Sequence, residues 1–275
     1  MVKKILITGS SGYIGSHLTH LLKNEYEVHG LDIVLPKIDP HTFYHCDINR
    51  TFILEEEFDC VIHLAAKVNV GESEQHPIMY YITNLNGTMN ILNKVKTKNF
   101  IFASTGLAEK CVSAYGISKR AAEDVVREYC TQHNNIDYTI FRFYNVIGST
   151  VVPPTNQDGL MYNLIKAINT GSFTIFGNDY NTVDGTCERD YVHVLEICEA
   201  LKVAIDKPSS NIECLGHGIG RTVYQMSCIF QDTNQVEFEV KYGPRRKGDI
   251  ESSVLQNVSP YMKNLYSVKQ LLKVS

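Results

Sequence analysis

Apolar residues along the chain gather into short, nearly continuous runs separated by longer stretches of helical spacing. The runs at 3–8, 28–32, 60–64, 100–104 and 138–143 predict buried strands, because a strand covered on both faces needs apolar side chains in both directions. Between them, 13–23, 77–95 and 115–133 carry the spacing of amphipathic helices. Such alternation predicts an α/β fold, a doubly wound parallel sheet. After Gly148 the texture changes. Val152-Pro-Pro-Thr-Asn-Gln-Asp-Gly159 is a turn-rich link, and the elements beyond it are shorter. Apolar positions at Val194, Ile197, Cys198, Leu201 and Ile205 predict a helix that returns to the first lobe. The expected division is a first lobe over 1–148, joined by a returning helix near 190–206. A smaller α/β lobe is expected over 149–189 and 207–275.

Composition narrows the function without naming it. A chain of 275 residues with 44% hydrophobic and 20% charged residues is ordinary globular protein. A net charge of −4 supplies no global reason to bind nucleic acid or an anionic membrane, so neither partner is expected. No apolar run approaches the roughly 18–20 residues that span a bilayer. Lys3-Lys4 followed by Ile-Leu-Ile breaks at Thr8-Gly9, too soon for a signal peptide. Eight cysteines stand singly, with no C-x-x-C and no Cys/His cluster. That pattern predicts no metal site and no disulfide framework, and it fits a reducing, cytoplasmic location.

Chemistry enters at two places. Thr8-Gly-Ser-Ser-Gly-Tyr-Ile-Gly15 follows the first strand and opens a helix, with glycines spaced G-x-x-G-x-x-G. Gly9, Gly12 and Gly15 allow a tight turn, and the helix start at Tyr13 and Ile14 turns N–H groups toward a pyrophosphate. Asp32 ends the second strand about 20 residues on, where a carboxylate accepts from an adenosine ribose and repels a 2′-phosphate. The expected cofactor is therefore NAD. Asp47 and Ile48 are expected beside the adenine. The second place is Tyr115-Gly-Ile-Ser-Lys119. A tyrosine and a lysine four residues apart on a helix share a face. An ammonium beside a phenol favours the phenolate, so Tyr115 is expected to titrate below its ordinary value of about 10 and to act as acid/base on a hydroxyl.

Longer segments carry a resemblance. They are the glycine turn over 8–17, His63-Leu-Ala-Ala, Val70-Gly-Glu-Ser73, Asn84-Leu-Asn-Gly-Thr88, Phe100-Ile-Phe-Ala-Ser-Thr105 and 115–119. The second half adds Phe176-Gly-Asn-Asp-Tyr180, Asp184-Gly-Thr186, Arg189-Asp-Tyr-Val-His193 and Pro244-Arg-Arg-Lys-Gly-Asp249. On these residues the chain resembles the extended short-chain dehydrogenase/reductases, and more narrowly their UDP-glucose 4-epimerase branch. The resemblance implies an NAD-dependent epimerase that inverts C4 of a UDP-hexose through a transient 4-keto intermediate. It assigns Thr105 to the substrate 4-oxygen, Tyr115 as the base and Lys119 to the nicotinamide ribose. Leu64, Ala65, Ala66 and Asn84 would join the glycine turn around the cofactor. Asn145, Arg189 and Arg246 would hold the diphosphate, Asp249 a ribose hydroxyl, and Leu160, Phe176 and Tyr191 the uracil and ribose pocket. Relatives pair through the helices at 77–95 and 115–133, so the resemblance implies a homodimer.

The chain departs from that pattern in places. Only ten positions separate Thr105 from Tyr115, a shortened interval across which both must reach one hydroxyl. Val68 stands where the epimerases often carry lysine, with Lys67 adjacent, and Gly159 stands where asparagine is usual. Ser253 aligns with a gatekeeper of the sugar pocket, and so small a residue implies that UDP-GlcNAc and UDP-GalNAc are accepted beside UDP-Glc and UDP-Gal. A 4,6-dehydratase would need an Asp-Glu pair after Thr105, where Gly106-Leu107 stand. A 4-keto-sugar reductase and a non-catalytic NAD- or UDP-sugar-binding protein remain the alternative readings.

Overall fold

The structure, a computed structural model, describes residues 2–132, 136–148, 150–246, 248–262 and 266–274. Contacts divide the chain into unit 1, Met1–Arg142 with Cys198–Glu213, and unit 2, Phe143–Ile197 with Cys214–Ser275. The first part of the chain runs β1 (Lys4–Thr8), α1 (Tyr13–Leu22), β2 (Glu27–Asp32), β3 (Thr42–His45), β4 (Glu57–Phe58) and β5 (Cys60–His63). It continues through α2 (Val70–Gln75), α3 (Pro77–Tyr81), a π-helical turn (Ile82–Asn86) and α4 (Gly87–Lys94). Then come β6 (Lys96–Thr97), β7 (Asn99–Thr105), α5 (Leu107–Lys110), α6 (Ala114–Gln132) and β8 (Asp137–Phe143). The remainder holds β9 (Asn145–Ile147), α7 (Leu160–Thr170), β10 (Ser172–Phe176), β11 (Glu188–His193), α8 (Val194–Asp206) and β12 (Asn211–Leu215). It ends with β13 (Gly220–Thr222), α9 (Val223–Asn234), β14 (Glu239–Gly243), β15 (Ser252–Ser253) and α10 (Val268–Leu272).

Unit 1 is built on a seven-stranded sheet ordered β12-β8-β7-β5-β1-β2-β3. The β7–β5–β1–β2–β3 pairings are all parallel, which makes this the α/β, doubly wound fold that the alternating pattern predicts. Its central strands are buried on both faces: Ile5, Leu6, Ile7, Val61, Ile62, Ile101, Phe102, Ile140 and Phe141 lose all contact with solvent. Strand order reverses at β1, whose neighbours are β2 on one side and β5 on the other. In open parallel sheets, ligands bind beyond the carboxyl ends of strands at such a reversal. The register Thr8↔His63 sets the glycine turn beside the segment that follows β5.

The second half of α8 belongs to unit 1. Asn99 Nδ2 donates to the Ala204 carbonyl at 3.0 Å, and Asp206 accepts from Lys3 and from the Tyr26 hydroxyl, each at 2.7 Å. Unit 2 has its own core, where Met161, Leu164, Phe173, Ile175, Met226, Phe230 and Leu272 pack together. In it β9, β13 and β15 all pair with β11, and β10 pairs with β14.

Two features depart from the expected elements. The single helix over 77–95 is three pieces, because the π-helical turn widens the backbone at Asn84 between α3 and α4. Strands β3 and β12 lie at the two edges of the sheet, half-buried and without a continuous apolar run. The contact division falls at 142, 197 and 213. The expected helix end at His133 and the boundary residue Ser149 lie outside the described residues.

Candidate active site

The glycine turn is set by close packing. Gly9 has φ +75°, and a Cβ there would sit 2.7 Å from the Ala65 nitrogen. A Cβ on Gly15 would sit 2.1 Å from the Gly9 carbonyl oxygen. Glycine at both positions therefore lets α1 start directly against the end of β1 and the Leu64–Ala65 segment. Gly12 is the N-cap of α1 and offers no side-chain hydrogen bond, so the helix start at Tyr13 and Ile14 has no side-chain cap. Asp32, at the end of β2, accepts from the backbone N–H groups of Ser11 and Val34, each at 3.0 Å. An uncapped helix start beside a fixed carboxylate matches the donor and acceptor needs of a dinucleotide's pyrophosphate and ribose diol. The residues present thus fit NAD. Asp47 accepts from the Asn49 N–H at 2.9 Å, and Ile48 is buried in the core against Gly87.

Thr105 ends β7 and Tyr115 opens α6, and both are buried. The nine residues between them contain the short helix α5, closed by Cys111 in the left-handed region at φ 50°. That compact path brings the Thr105 hydroxyl close enough to the Tyr115 phenol to favour its ionised form. The expected depression of the Tyr115 pKa is corrected: burial pushes it up to about 12, and the nearby Thr105 hydroxyl is the opposing influence. Lys119 moves the other way. Burial brings it down to about 7, with the Glu123 charge acting against the fall. Its ammonium lies over the Phe102 ring, 4.1 Å from the centroid.

A directional hydrogen-bond chain braces this corner. The Ala65 N–H donates to Thr8 Oγ1, which donates to His63 Nδ1 at 2.6 Å. Thr88 Oγ1 donates to the Asn84 carbonyl, so it must accept from His63 Nε2 at 3.0 Å. Burial lowers the His63 pKa to about 3, so the ring is neutral and its Nδ1 accepts from Thr8. Buried Asn84 accepts from the Lys67 N–H at 2.8 Å and donates to the Lys67 carbonyl and to Ser118 Oγ, each at 3.0 Å. Ser118 in turn donates to the Tyr115 carbonyl. His63, Thr8, Thr88 and Ser118 carry no role in the sequence reading. Their signal was present only as one histidine and three small hydroxylic residues inside the quoted segments.

In unit 2, Arg189, Arg246 and Asp249 meet. The Asp249 carboxylate lies 3.6 Å from Arg189 and 3.1 Å from Arg246, so one acid faces two guanidinium groups and the trio is net positive. Arg189 also donates to the Ile250 carbonyl at 2.8 Å. Arg246 stacks on the exposed Phe176 ring, 4.8 Å from its centroid. Ser253 pairs with Arg189 across β15 and β11, and Asn145 pairs with Tyr191 across β9 and β11. Tyr191 is buried in the core of unit 2, where Leu160 packs against the same cluster. Among the described residues no His/Cys/Asp/Glu group could hold a metal ion, and no helix is long and apolar enough to cross a membrane.

Comparison with known proteins agrees with this geometry. The UDP-glucose 4-epimerase of Haemophilus influenzae is 32% identical, over 90% of this chain and 87% of the relative. A solved UDP-glucose 4-epimerase of Thermotoga maritima, with UDP-glucose, is 28% identical with a TM-score of 0.84, covering 98% of this chain and 96% of that one. The solved UDP-Glc/GlcNAc 4-epimerase of Campylobacter jejuni is 26% identical with a TM-score of 0.76, covering 98% and 97%. The model of the NAD dependent epimerase/dehydratase family matches residues 5–214, from β1 through Thr105 and Tyr115 into β12. The chain belongs to that family.

Proposed function

We propose that the protein inverts C4 of a UDP-hexose, interconverting UDP-Glc and UDP-Gal with NAD as its resident cofactor. The adjacent Thr105 and Tyr115 side chains, both buried, with Lys119 on the same helix face as Tyr115, carry this reading. UDP-glucose 4-epimerase relatives at about 30% identity support it. NAD, when bound, supplies the reversible oxidation at C4 and is regenerated in each cycle. Gly9, Gly12, Tyr13, Ile14 and Gly15 would hold its pyrophosphate and Asp32 its ribose, with Asp47, Ile48, Leu64, Ala65, Ala66 and Asn84 around the rest. Thr105 orients the sugar 4-oxygen, and Tyr115 takes and returns its proton. A phenol raised by burial needs a cation to ionise, and Lys119, poised at about 7, supplies that charge near neutrality.

For the nucleotide, Arg189, Arg246 and Asn145 are proposed to hold the diphosphate and Asp249 the ribose. Phe176, Leu160 and Tyr191 would line the base. The small Ser253, one strand from Arg189, extends the proposal to UDP-GlcNAc and UDP-GalNAc. A homodimer belongs to the same reading: Ile78, Met79, Ile82, Met89 and Ile117 are exposed on the helices α3, α4 and α6 and the π turn, and a second copy would cover them. Sedimentation as a monomer at working concentration would remove that element. The eight free cysteines fit a cytoplasmic location, which cell fractionation tests.

The deciding assay incubates purified protein with UDP-Gal or UDP-GalNAc without added reductant and resolves the products by chromatography. Epimers are expected with no net cofactor turnover. A requirement for stoichiometric NADPH would point to a reductase instead. Inactivity on both N-acetyl sugars, in a preparation active on UDP-Glc, would remove the Ser253 assignment.

A further inference from the structure

Glu123 lies four residues after Lys119 and eight after Tyr115 on α6, so the three side chains share one face. It is 1% exposed, an unusual place for a carboxylate. The carboxylate accepts the Ser104 hydroxyl at 2.5 Å and the Arg142 guanidinium through three contacts of 2.7–3.3 Å. Ser104 precedes Thr105 on β7, and Arg142 belongs to β8, the next strand. One acid therefore ties the helix that carries Tyr115 and Lys119 to two strands, one of which carries Thr105. Burying an ion pair is a poor source of net stability, so a role in holding geometry is the better account of it.

We infer that Glu123 is a positioning residue for the reaction, holding Thr105 in register with Tyr115 and keeping a negative charge one helical turn from Lys119. The inference rests on the roles proposed above for Tyr115 and Lys119. Lys119 faces Tyr115 and Glu123 on its own helix, His63 on β5 and, beyond Glu123, Arg142 on β8. His63 stays neutral through the neutral range because burial lowers its pKa to about 3. Glu123 is the nearby charge that holds the Lys119 pKa up against burial. Neither Glu123 nor Ser104 needs to touch substrate for this.

The test is the titration of Lys119, followed by side-chain NMR against pH and assigned with Lys119→Met. It compares wild type with Glu123→Gln and with the double variant Glu123→Gln/Arg142→Gln, in which two amides replace the pair. Lys119 is expected to lose its proton at lower pH in both, by about tenfold in proton affinity for Glu123→Gln and by less for the double variant, where the opposing Arg142 charge is also removed. The alkaline limb of kcat should move the same way, because rising pH removes the ammonium that Tyr115 needs, while KM for UDP-sugar stays within about twofold. An unmoved Lys119 titration in a folded variant overturns the inference. Should neither variant fold, Ser104→Ala keeps the ion pair and is expected to lower kcat about tenfold with KM and the Lys119 titration unchanged. An unchanged kcat there overturns it equally. The NMR readout needs no turnover, so failure of this inference is distinguishable from failure of the epimerase reading.

Discussion

Two arginine–carboxylate pairs, one in each unit, sit in opposite environments. Arg142 and Glu123 meet at 2.7 Å with side chains 11% and 1% exposed, bridging β8 and α6. Arg246 and Asp249 meet at 3.1 Å, 43% and 20% exposed, three residues apart on one loop. In the first pair the carboxylate is already saturated by Arg142 and Ser104, so the geometry exists before any ligand arrives. In the second, solvent screens the attraction, so a phosphate oxygen would exchange for Asp249 at small cost. On the proposed reading, proton transfer falls to a preorganised corner and nucleotide recognition to an exchangeable one.

Breaking the buried pair should give the largest effect. Arg142→Ala leaves Glu123 buried without its partner and is expected to remove about 3–5 kcal/mol of stability, measured by urea unfolding. A loss no larger than that of an exposed pair would erase the contrast. His63 sharpens it next. Its folded pKa of about 3 lies below the ordinary value of 6.5, so the unfolded chain takes up the proton first as pH falls. The stability it contributes is complete above about pH 6.5 and is lost as pH falls toward 3, on the order of 3 kcal/mol by pH 4. Unfolding midpoints against pH should therefore be flatter for His63→Asn than for wild type. Equal slopes would mean that acid acts elsewhere. The exposed pair gives the smallest effect on folding: Arg246→Ala should change stability by less than about 1 kcal/mol and raise KM for UDP-sugar about tenfold at nearly constant kcat. A fall in kcat that matched the fall in kcat/KM would place Arg246 in the chemical step instead.

The parallel sheet was legible in the sequence because its central strands are buried on both faces and leave continuous apolar runs. Edge strands β3 and β12 leave none, and hydrophobic period does not register one extra residue in a π turn at Asn84. The glycine turn, Asp32 and the Tyr115/Lys119 spacing were legible because residue type and spacing along the chain alone carry their signal. Convergence of Thr105 with Tyr115 was not, since it depends on α5 folding within the interval. The direction of the Tyr115 shift was misread for a related reason. Helical spacing shows which charge stands nearby along α6, whereas burial by β7 and the facing helices is a through-space quantity, and here it dominates. Glu123 carried a readable signal at i+4 from Lys119, but its partners Ser104 and Arg142 come from two other elements.

The central claim is that Tyr115 moves the proton of the sugar 4-hydroxyl. Tyr115→Phe removes one oxygen and keeps the ring that packs edge-on against Tyr80. Epimerisation of UDP-Gal by this variant, measured beside NAD binding, tests the claim directly. The account predicts a rate loss of about 10²–10⁴-fold with NAD binding intact. Turnover equal to that of the wild type would contradict it.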